Sequence, residues 1–189
     1  MSAGEAACLA LSCTNSLLTN VEVNGVSGAG FDALLYNGIL FIGSSLVTLV
    51  NCRAKQCGVQ FSFRNVNTCI NLHGCATSSA GAFVPSAFNS VNFYGTTEHI
   101  LFSCCEIDEA TVGQDSVHFD STAIASRIKF DTCNVYSFTG RYALAVDGAT
   151  VTVKVENSHF YPFGGNANSG GATIASGSTL IAIDSAFGA

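Results

Sequence analysis

The pentapeptide Ile128-Lys129-Phe130-Asp131-Thr132 decides the fold, because its pattern occurs six times along the chain. Each copy has a large apolar residue at the centre, a polar residue next, and a small or polar residue last. The other copies are Leu9-Ala10-Leu11-Ser12-Cys13, Thr48-Leu49-Val50-Asn51-Cys52, Ile100-Leu101-Phe102-Ser103-Cys104, Val153-Lys154-Val155-Glu156-Asn157 and Ile181-Ala182-Ile183-Asp184-Ser185. Recurrence at such intervals predicts a repeat architecture.

The pentads read as short strands with one buried face. The central residues are separated by 39, 52, 28, 25 and 28 positions. Alternate side chains of a strand share a face, so positions one, three and five should be buried and the other two hydrated. The small fifth residue is then expected to line an inside corner. A unit of this size cannot bury its own face, but stacked units with parallel strands can.

No capped amphipathic helix pattern separates the pentads, which disfavours alternating strands and helices. The pattern resembles right-handed parallel β-helix proteins of the pectate-lyase-like and phage-tailspike-like class. The resemblance covers Leu9 to Ser185 and implies one all-β domain over residues 1–189, with about seven coils at ~26 residues each. Ala76-Thr77-Ser78 departs from the pattern, so irregular or inserted loops are expected within residues 14–47 and 55–98. A β-sandwich or jelly roll is the alternative, since short alternating strands serve both folds.

Composition narrows the possible partners. The net charge is −6 with only seven basic residues, which argues against nucleic acid binding. No apolar run is long enough to span a bilayer, and the N-terminal residues lack the basic region of a signal peptide. The nine cysteines are an odd number. We expect them to be mostly reduced, with folding in a reducing cytosol and a final location in a virion or an extracellular assembly.

The densest acidic segment is the first place to look for a site. Paired carboxylates can perform glycoside hydrolysis, and carboxylates with carbonyl groups can bind Ca²⁺. The segment contains Glu106, Asp108, Glu109, Asp115 and Asp120. The weak catalytic candidates are Asp115, His118 and Asp120, and the weak metal candidates are Glu106, Asp108 and Asp115. A solvated loop is the simpler interpretation, and no cofactor is predicted.

Two further motifs do not indicate a specific metal site or enzyme family. Zinc-like spacing occurs among Cys52, Cys57, Cys69 and His73-Gly74-Cys75, but the usual Cys-x2-Cys pairs are missing, so buried thiols are favoured. Arg127-Ile128-Lys129 matches a tripeptide of the polygalacturonase family. The accompanying motifs of that family are absent, and Ile128 is already explained as a core position.

The sequence therefore predicts a non-enzymatic structural or interaction protein, most plausibly a virion component such as a capsid decoration or tail accessory protein. Self-association or binding to other structural proteins is expected, with polysaccharide as a further partner. The residues expected at the interaction surface are Phe160, Tyr161, Phe163 and Phe187. The alternatives are a carbohydrate-binding or polysaccharide-degrading module, as a lyase or hydrolase, and a bacterial surface adhesin fragment.

Overall fold

The computed structural model describes residues 6–24, 36–55, 57–78, 89–108, 114–137, 141–148, 150–162 and 170–188. All regular structure in these ranges is β-strand. The prediction of an all-β fold is therefore confirmed. Within the same ranges there is no helix that could cross a membrane.

The strands form three seven-stranded sheets, and every third strand of the chain returns to the same sheet. The first sheet contains β1 (Ala6–Leu11), β4 (Tyr36–Ile42), β7 (Val59–Arg64), β10 (Val91–Phe93), β13 (Val117–Phe119), β16 (Tyr142–Val146) and β19 (Gly170–Ile174). The second contains β2 (Thr14–Thr19), β5 (Ser45–Val50), β8 (Asn67–His73), β11 (Thr96–Ser103), β14 (Ile124–Asp131), β17 (Thr150–Glu156) and β20 (Thr179–Ile183). The third contains β3 (Glu22–Asn24), β6 (Arg53–Lys55), β9 (Ala76–Ser78), β12 (Glu106–Ile107), β15 (Asn134–Ser137), β18 (His159–Pro162) and β21 (Ala186–Phe187).

Neighbouring strands pair in parallel in all three sheets, as between β11 and β14 or β12 and β15. This topology is a parallel β-solenoid, as the repeat predicted. Parallel pairing is not the antiparallel arrangement of a sandwich, so the structure gives no support to the jelly-roll alternative.

Stacked aromatic side chains fill the interior. On the first sheet, the rings of Phe63, Phe93 and Phe119 stack with centroids 4.7 and 4.2 Å apart. Phe102 and Phe130 of the second sheet stack at 4.7 Å. All five are at most 1% exposed. Strand spacing in a parallel sheet matches the thickness of such ring stacks, so identical residues in successive turns reinforce one another.

The pentads lie in register only in the centre of the chain. Phe102, Phe130 and Val155 occupy one core column, as predicted. In two other pentads the residue that faces the interior is one position before the predicted centre. Leu49 faces inward instead of Val50, and Ala182 faces inward instead of Ile183. The full column is Leu18, Leu49, Leu72, Phe102, Phe130, Val155 and Ala182. Leu11 instead pairs with Phe41 in the first sheet.

The corner between the second and third sheets always has two residues. The first has a left-handed backbone, with φ between 47° and 60°, and the second points inward. The expectation that the fifth pentad residue lines the inside corner is therefore wrong for the central pentads. Cys104 is exposed, and the next residue, Cys105, is buried at the corner instead. The inward residues are Val21, Cys52, Cys75, Cys105, Cys133, Ser158 and Ser185.

The four corner cysteines form an internal ladder of thiols. Their sulfur atoms lie 3.3 to 3.7 Å from main-chain carbonyl oxygens of the same and the preceding turn. The hydrogen bond with Cys133, the thiol of Cys75 and burial together hold the pKa of Cys105 far above its ordinary value. Cys105 is therefore an inert thiol that packs as a small apolar residue.

Candidate functional site

A buried aspartate and a histidine form the most specific polar arrangement on the first sheet. Val117 and Phe119 of β13 point into the core, so His118 between them points outward. Asp115 lies just before this strand and is fully buried. The Asp115 Oδ2 atom lies 2.9 Å from His118 Nδ1. Sequence analysis named both residues, and the solenoid brings them into contact.

The carboxylate of Asp115 is surrounded by donors from a neighbouring turn. Arg141 Nη2 donates to Oδ2 at 2.7 Å, and the main-chain N–H of Tyr142 donates to Oδ1 at 3.2 Å. The main-chain N–H of Asp115 donates to Asn89 Oδ1 at 2.9 Å. These bonds replace the water that a buried carboxylate loses. Asp115 thus ties together three consecutive turns.

The second nitrogen of His118 remains available for chemistry. An ionised carboxylate can only accept, so Nδ1 donates to Asp115 and Nε2 of a neutral ring is an acceptor. Nε2 lies 3.8 Å from Asp147 Oδ2, and the His118 side chain is 12% exposed. A carboxylate that orients an imidazole in this way is the arrangement used by general bases.

Asp120 shares the outward face of His118 but has a turn-forming role. Its Oδ1 accepts hydrogen bonds from the main-chain N–H of Thr122 at 2.9 Å and from the Thr122 hydroxyl at 2.8 Å. Partial burial raises the pKa of Asp120, but these hydrogen bonds outweigh it and the pKa lies below its ordinary value. The carboxylate therefore caps the connection into β14.

Two buried side-chain oxygen atoms in the same row as His118 have no hydrogen-bond partner within the described ranges. Asn92 aligns with His118 in the register of β10 and β13, and Ser62 aligns with Asn92. Ser62 is 0% and Asn92 is 2% exposed. Among the residues that the structure describes, neither Ser62 Oγ nor Asn92 Oδ1 has a hydrogen-bond partner. Unsatisfied buried oxygens are uncommon and mark this row as a polar strip on the outer face of the first sheet.

The metal candidates are in different surroundings. Glu106 and Asp108 line a cavity of about 160 Å³ on the third sheet together with Arg53 and Lys55. Two basic residues beside two acidic ones give a groove of mixed charge. Glu109 lies outside the described residues. In the part of the chain that the structure describes, no group of three or more His, Cys, Asp or Glu side chains could hold a metal ion.

The zinc-like residues are distributed over different surfaces. Cys52 and Cys75 belong to the internal thiol ladder, while Cys69 and His73 lie on β8. Ile128 of the polygalacturonase-like tripeptide is fully buried in the core. Its position is explained by packing, as the sequence indicated.

The aromatic residues expected at an interaction surface are divided between core and surface. Phe160 is fully buried and makes an edge contact with Phe130 at 5.6 Å. It is therefore a core residue of the isolated chain. Tyr161 is half-buried and stacks on Tyr136 at 6.2 Å. Phe187, also half-buried, stacks on Phe160 at 5.2 Å. Phe163 lies outside the described residues.

Comparison of the chain with protein-family models, with curated proteins and with solved structures found no match. The candidate site is therefore defined by its own geometry.

Sequence reasoning missed the partners of Asp115. Asn89 lies 26 residues before it and Arg141 lies 26 residues after it. This separation is one coil of the predicted repeat. Testing polar residues one coil away from each acidic candidate would have found both.

Proposed function

We propose that the chain is a non-enzymatic structural or interaction module that works in an assembly such as a virion, as a capsid decoration or tail accessory protein. We further propose that it is a right-handed β-helix of the pectate-lyase-like and tailspike-like class. Its three seven-stranded sheets support a count of seven coils. The single observation that carries the functional proposal is the surface of the last described turn, β19 to β21.

Strand β20 is apolar on both faces. Leu180 and Ala182 pair with the core residues Val153 and Val155, so they face the interior. However, Leu180 is only half-buried and Ala182 is exposed. In the part of the chain that the structure describes, the inward side chains of β20 are therefore less covered than those of β17, and one edge of β20 has no paired strand.

The outer face of β20 also carries exposed apolar side chains. Ile181 and Ile183 are each 42% exposed. They align with Lys154 and Glu156 of β17, which carry charges in the preceding turn. Two isoleucines therefore stand where the preceding turn has charged residues, and covering two such side chains contributes ~1–3 kcal/mol. We infer that another subunit, a second copy or another structural protein, covers this turn.

The test is solution mass by light scattering over a concentration series with a reductant present. The wild type should form a trimer or larger assembly. The double substitution Ile181→Lys with Ile183→Glu extends the charge pattern of β17 and should abolish association without unfolding the chain. Ile124→Lys, at a 53% exposed isoleucine of the central strand β14, is the matched control and should assemble normally. A wild type that remains monomeric at high concentration would overturn the proposal.

We propose carbohydrate binding or degradation as a second candidate function. The observation that favours it is the His118 ring, oriented by the buried Asp115 and facing Asp147. A glycan panel should then give binding or cleavage that His118→Ala and Asp115→Asn remove. His159→Ala, an exposed histidine of the third sheet, is the control. An absence of binding and cleavage across the panel would eliminate this candidate.

A further inference from the structure

Five residues with left-handed backbone form a column along the second sheet. They lie at matching positions of successive strands, with φ between 54° and 56°. A left-handed backbone is uncommon for residues other than glycine, asparagine and aspartate. The members of the column are Asn15, Leu46, Cys69, His99 and Arg127.

The register places three reactive or charged side chains of this column next to one another. Ile70, Ile100 and Ile128 pair across β8, β11 and β14, and each directly follows a member of the column. The Cys69 sulfur lies 3.8 Å from His99 Nδ1. Arg127 Nη1 makes a hydrogen bond to His99 Nε2 and lies 3.4 Å from Glu98 Oε1.

Arg127 determines which nitrogen of His99 carries the proton. A guanidinium group has only donors, so His99 Nε2 must accept. The proton of the neutral imidazole is then on Nδ1, which faces the sulfur. The His99 ring therefore donates toward the Cys69 sulfur and fixes the orientation of that side chain.

The other cysteines whose side chains are described do not combine partial exposure with a histidine contact. Cys13 is half-buried, but it has no histidine at its sulfur among the described contacts. Cys52, Cys57, Cys75, Cys105 and Cys133 are buried. Cys104 is exposed, and its sulfur lies 4.0 Å from the Ser103 hydroxyl. Cys104 therefore provides an internal comparison: it is accessible but lacks a histidine at its sulfur among the described contacts.

We propose that Cys69 is a modification site that reacts with small soft electrophiles, in particular low-molecular-weight disulfides. The Cys69 thiolate attacks one sulfur of the disulfide, the original S–S bond breaks, and a mixed disulfide forms. The second sulfur leaves as a thiolate and takes up a proton from water. The disulfide is the oxidant, and any reducing thiol reverses the step. His99 and Arg127 are positioning residues.

The experiment exposes the full chain to oxidised glutathione and follows each cysteine by mass spectrometry at the level of single residues. Rates are divided by those of the same cysteines in the urea-unfolded chain. The normalised rate at Cys69 should exceed that at Cys104 by on the order of tenfold. Cys75, Cys105 and Cys133 should remain unmodified, which reports that the chain is folded.

Substitutions at His99 and Arg127 test whether these residues raise the rate at Cys69, or whether the exposure of the thiol alone explains it. His99→Ala should lower the normalised rate at Cys69 to that at Cys104, and Arg127→Met should lower it partly. Arg127→Lys keeps a cation that can only donate and should restore most of the rate. His159→Ala should change neither cysteine. Equal normalised rates at Cys69 and Cys104 in the wild type would overturn the proposal without any variant, as would a rate unaffected by His99→Ala in a chain whose corner cysteines stay protected.

Discussion

The central turns and the last described turn use the same kinds of strand but differ in how they are covered. In the centre, Phe93 and Phe119 are fully buried and their rings stack at 4.2 Å. In the last described turn, Phe187 has an aromatic neighbour in Phe160, but the inward-facing Leu180 is half-buried and the inward-facing Ala182 is exposed. In the described part of the chain, inward side chains are fully buried where turns pack on both sides. The last described turn exposes apolar surface that a partner can cover.

The largest expected effect concerns the aromatic column. Phe93→Ala removes a ring that contacts Phe63, Phe102 and Phe119 and should lower the free energy of unfolding by about 3–5 kcal/mol. Phe187→Ala, in the half-covered last turn, should cost less than half as much. Urea unfolding measures both losses when each substitution is made in the Ile181→Lys/Ile183→Glu variant, which should be monomeric. Equal losses would show that the last turn is packed as tightly as the centre.

The next effect concerns the polar contacts between central turns. Asp115→Ala leaves Arg141 and His118 without their common acceptor and should lower the free energy of unfolding by about 2–3 kcal/mol. Arg141→Ala should cost less, because that side chain is 46% exposed and its partner retains other donors. Urea unfolding at pH 7 distinguishes the two. A harmless Asp115→Ala would contradict the assignment of Asp115 as a link between turns.

A smaller effect is expected when one corner residue of the thiol ladder is changed. The substitution tests whether the central corners require sulfur. Ser158 occupies the same corner position one turn after Cys133, and its hydroxyl donates to Glu156 O at 2.7 Å. Cys133→Ser should therefore change the free energy of unfolding by less than about 1 kcal/mol, whereas Cys133→Leu should cost about 1–3 kcal/mol by overpacking. Thermal unfolding with a reductant present is the measurement. A large loss for serine would mean that the corner requires sulfur.

The smallest effect concerns the outer charges that the last turn replaces with isoleucine. Lys129 lies 2.9 Å from Asp131 and 2.5 Å from Glu156. The lysine lowers the pKa of both carboxyl groups, and Glu156 followed by Asp131 raises the pKa of Lys129. The ordinary pKa is 3.8 for Asp131 and 4.5 for Glu156. Because both values are lowered in the folded chain, these groups stabilise the fold at a pH above the ordinary values. The stabilisation is lost as the pH falls through the folded pKa. Because the pKa of Lys129 is raised, the lysine stabilises the fold at a pH below 10.5. This stabilisation is lost as the pH rises through the folded pKa.

The contribution should be small and sensitive to salt, because these groups are at the surface. Wild type and Glu156→Gln should differ slightly in melting temperature between about pH 5 and pH 10, and the difference should shrink in 1 M salt. A difference that persists at pH 2 would contradict the assignment to this ion pair.

The architecture could be predicted from the sequence because stacked turns repeat one chemical pattern. Phe102, Phe130 and Val155 could be aligned from spacing, since the central coils have nearly equal length. Ile70-Asn71-Leu72-His73-Gly74 has the full pattern but follows Val50 by an unusually short interval, so it was not recognised as a coil. Cys104 and Cys105 were assigned the wrong way round because the left-handed corner residue breaks the alternation of faces.

The site was predictable in part. Asp115 and His118 were both named as candidates because they lie in the acidic segment, but their contact was not predicted. Arg141 and Asn89 come from other turns, and their contacts depend on a coil length that varies between turns. The Cys69, His99 and Arg127 column depends on a shared left-handed bulge, for which leucine, cysteine, histidine and arginine give no local signal.

Amide hydrogen exchange in strand β20, measured as a function of protein concentration, tests most directly whether another subunit covers the last described turn. Protection of β20 should rise with concentration toward that of strand β14, which should be protected at all concentrations. In the Ile181→Lys/Ile183→Glu variant, β20 should remain unprotected. Exchange in β20 that is independent of concentration in the wild type would contradict the claim that another subunit covers the last turn.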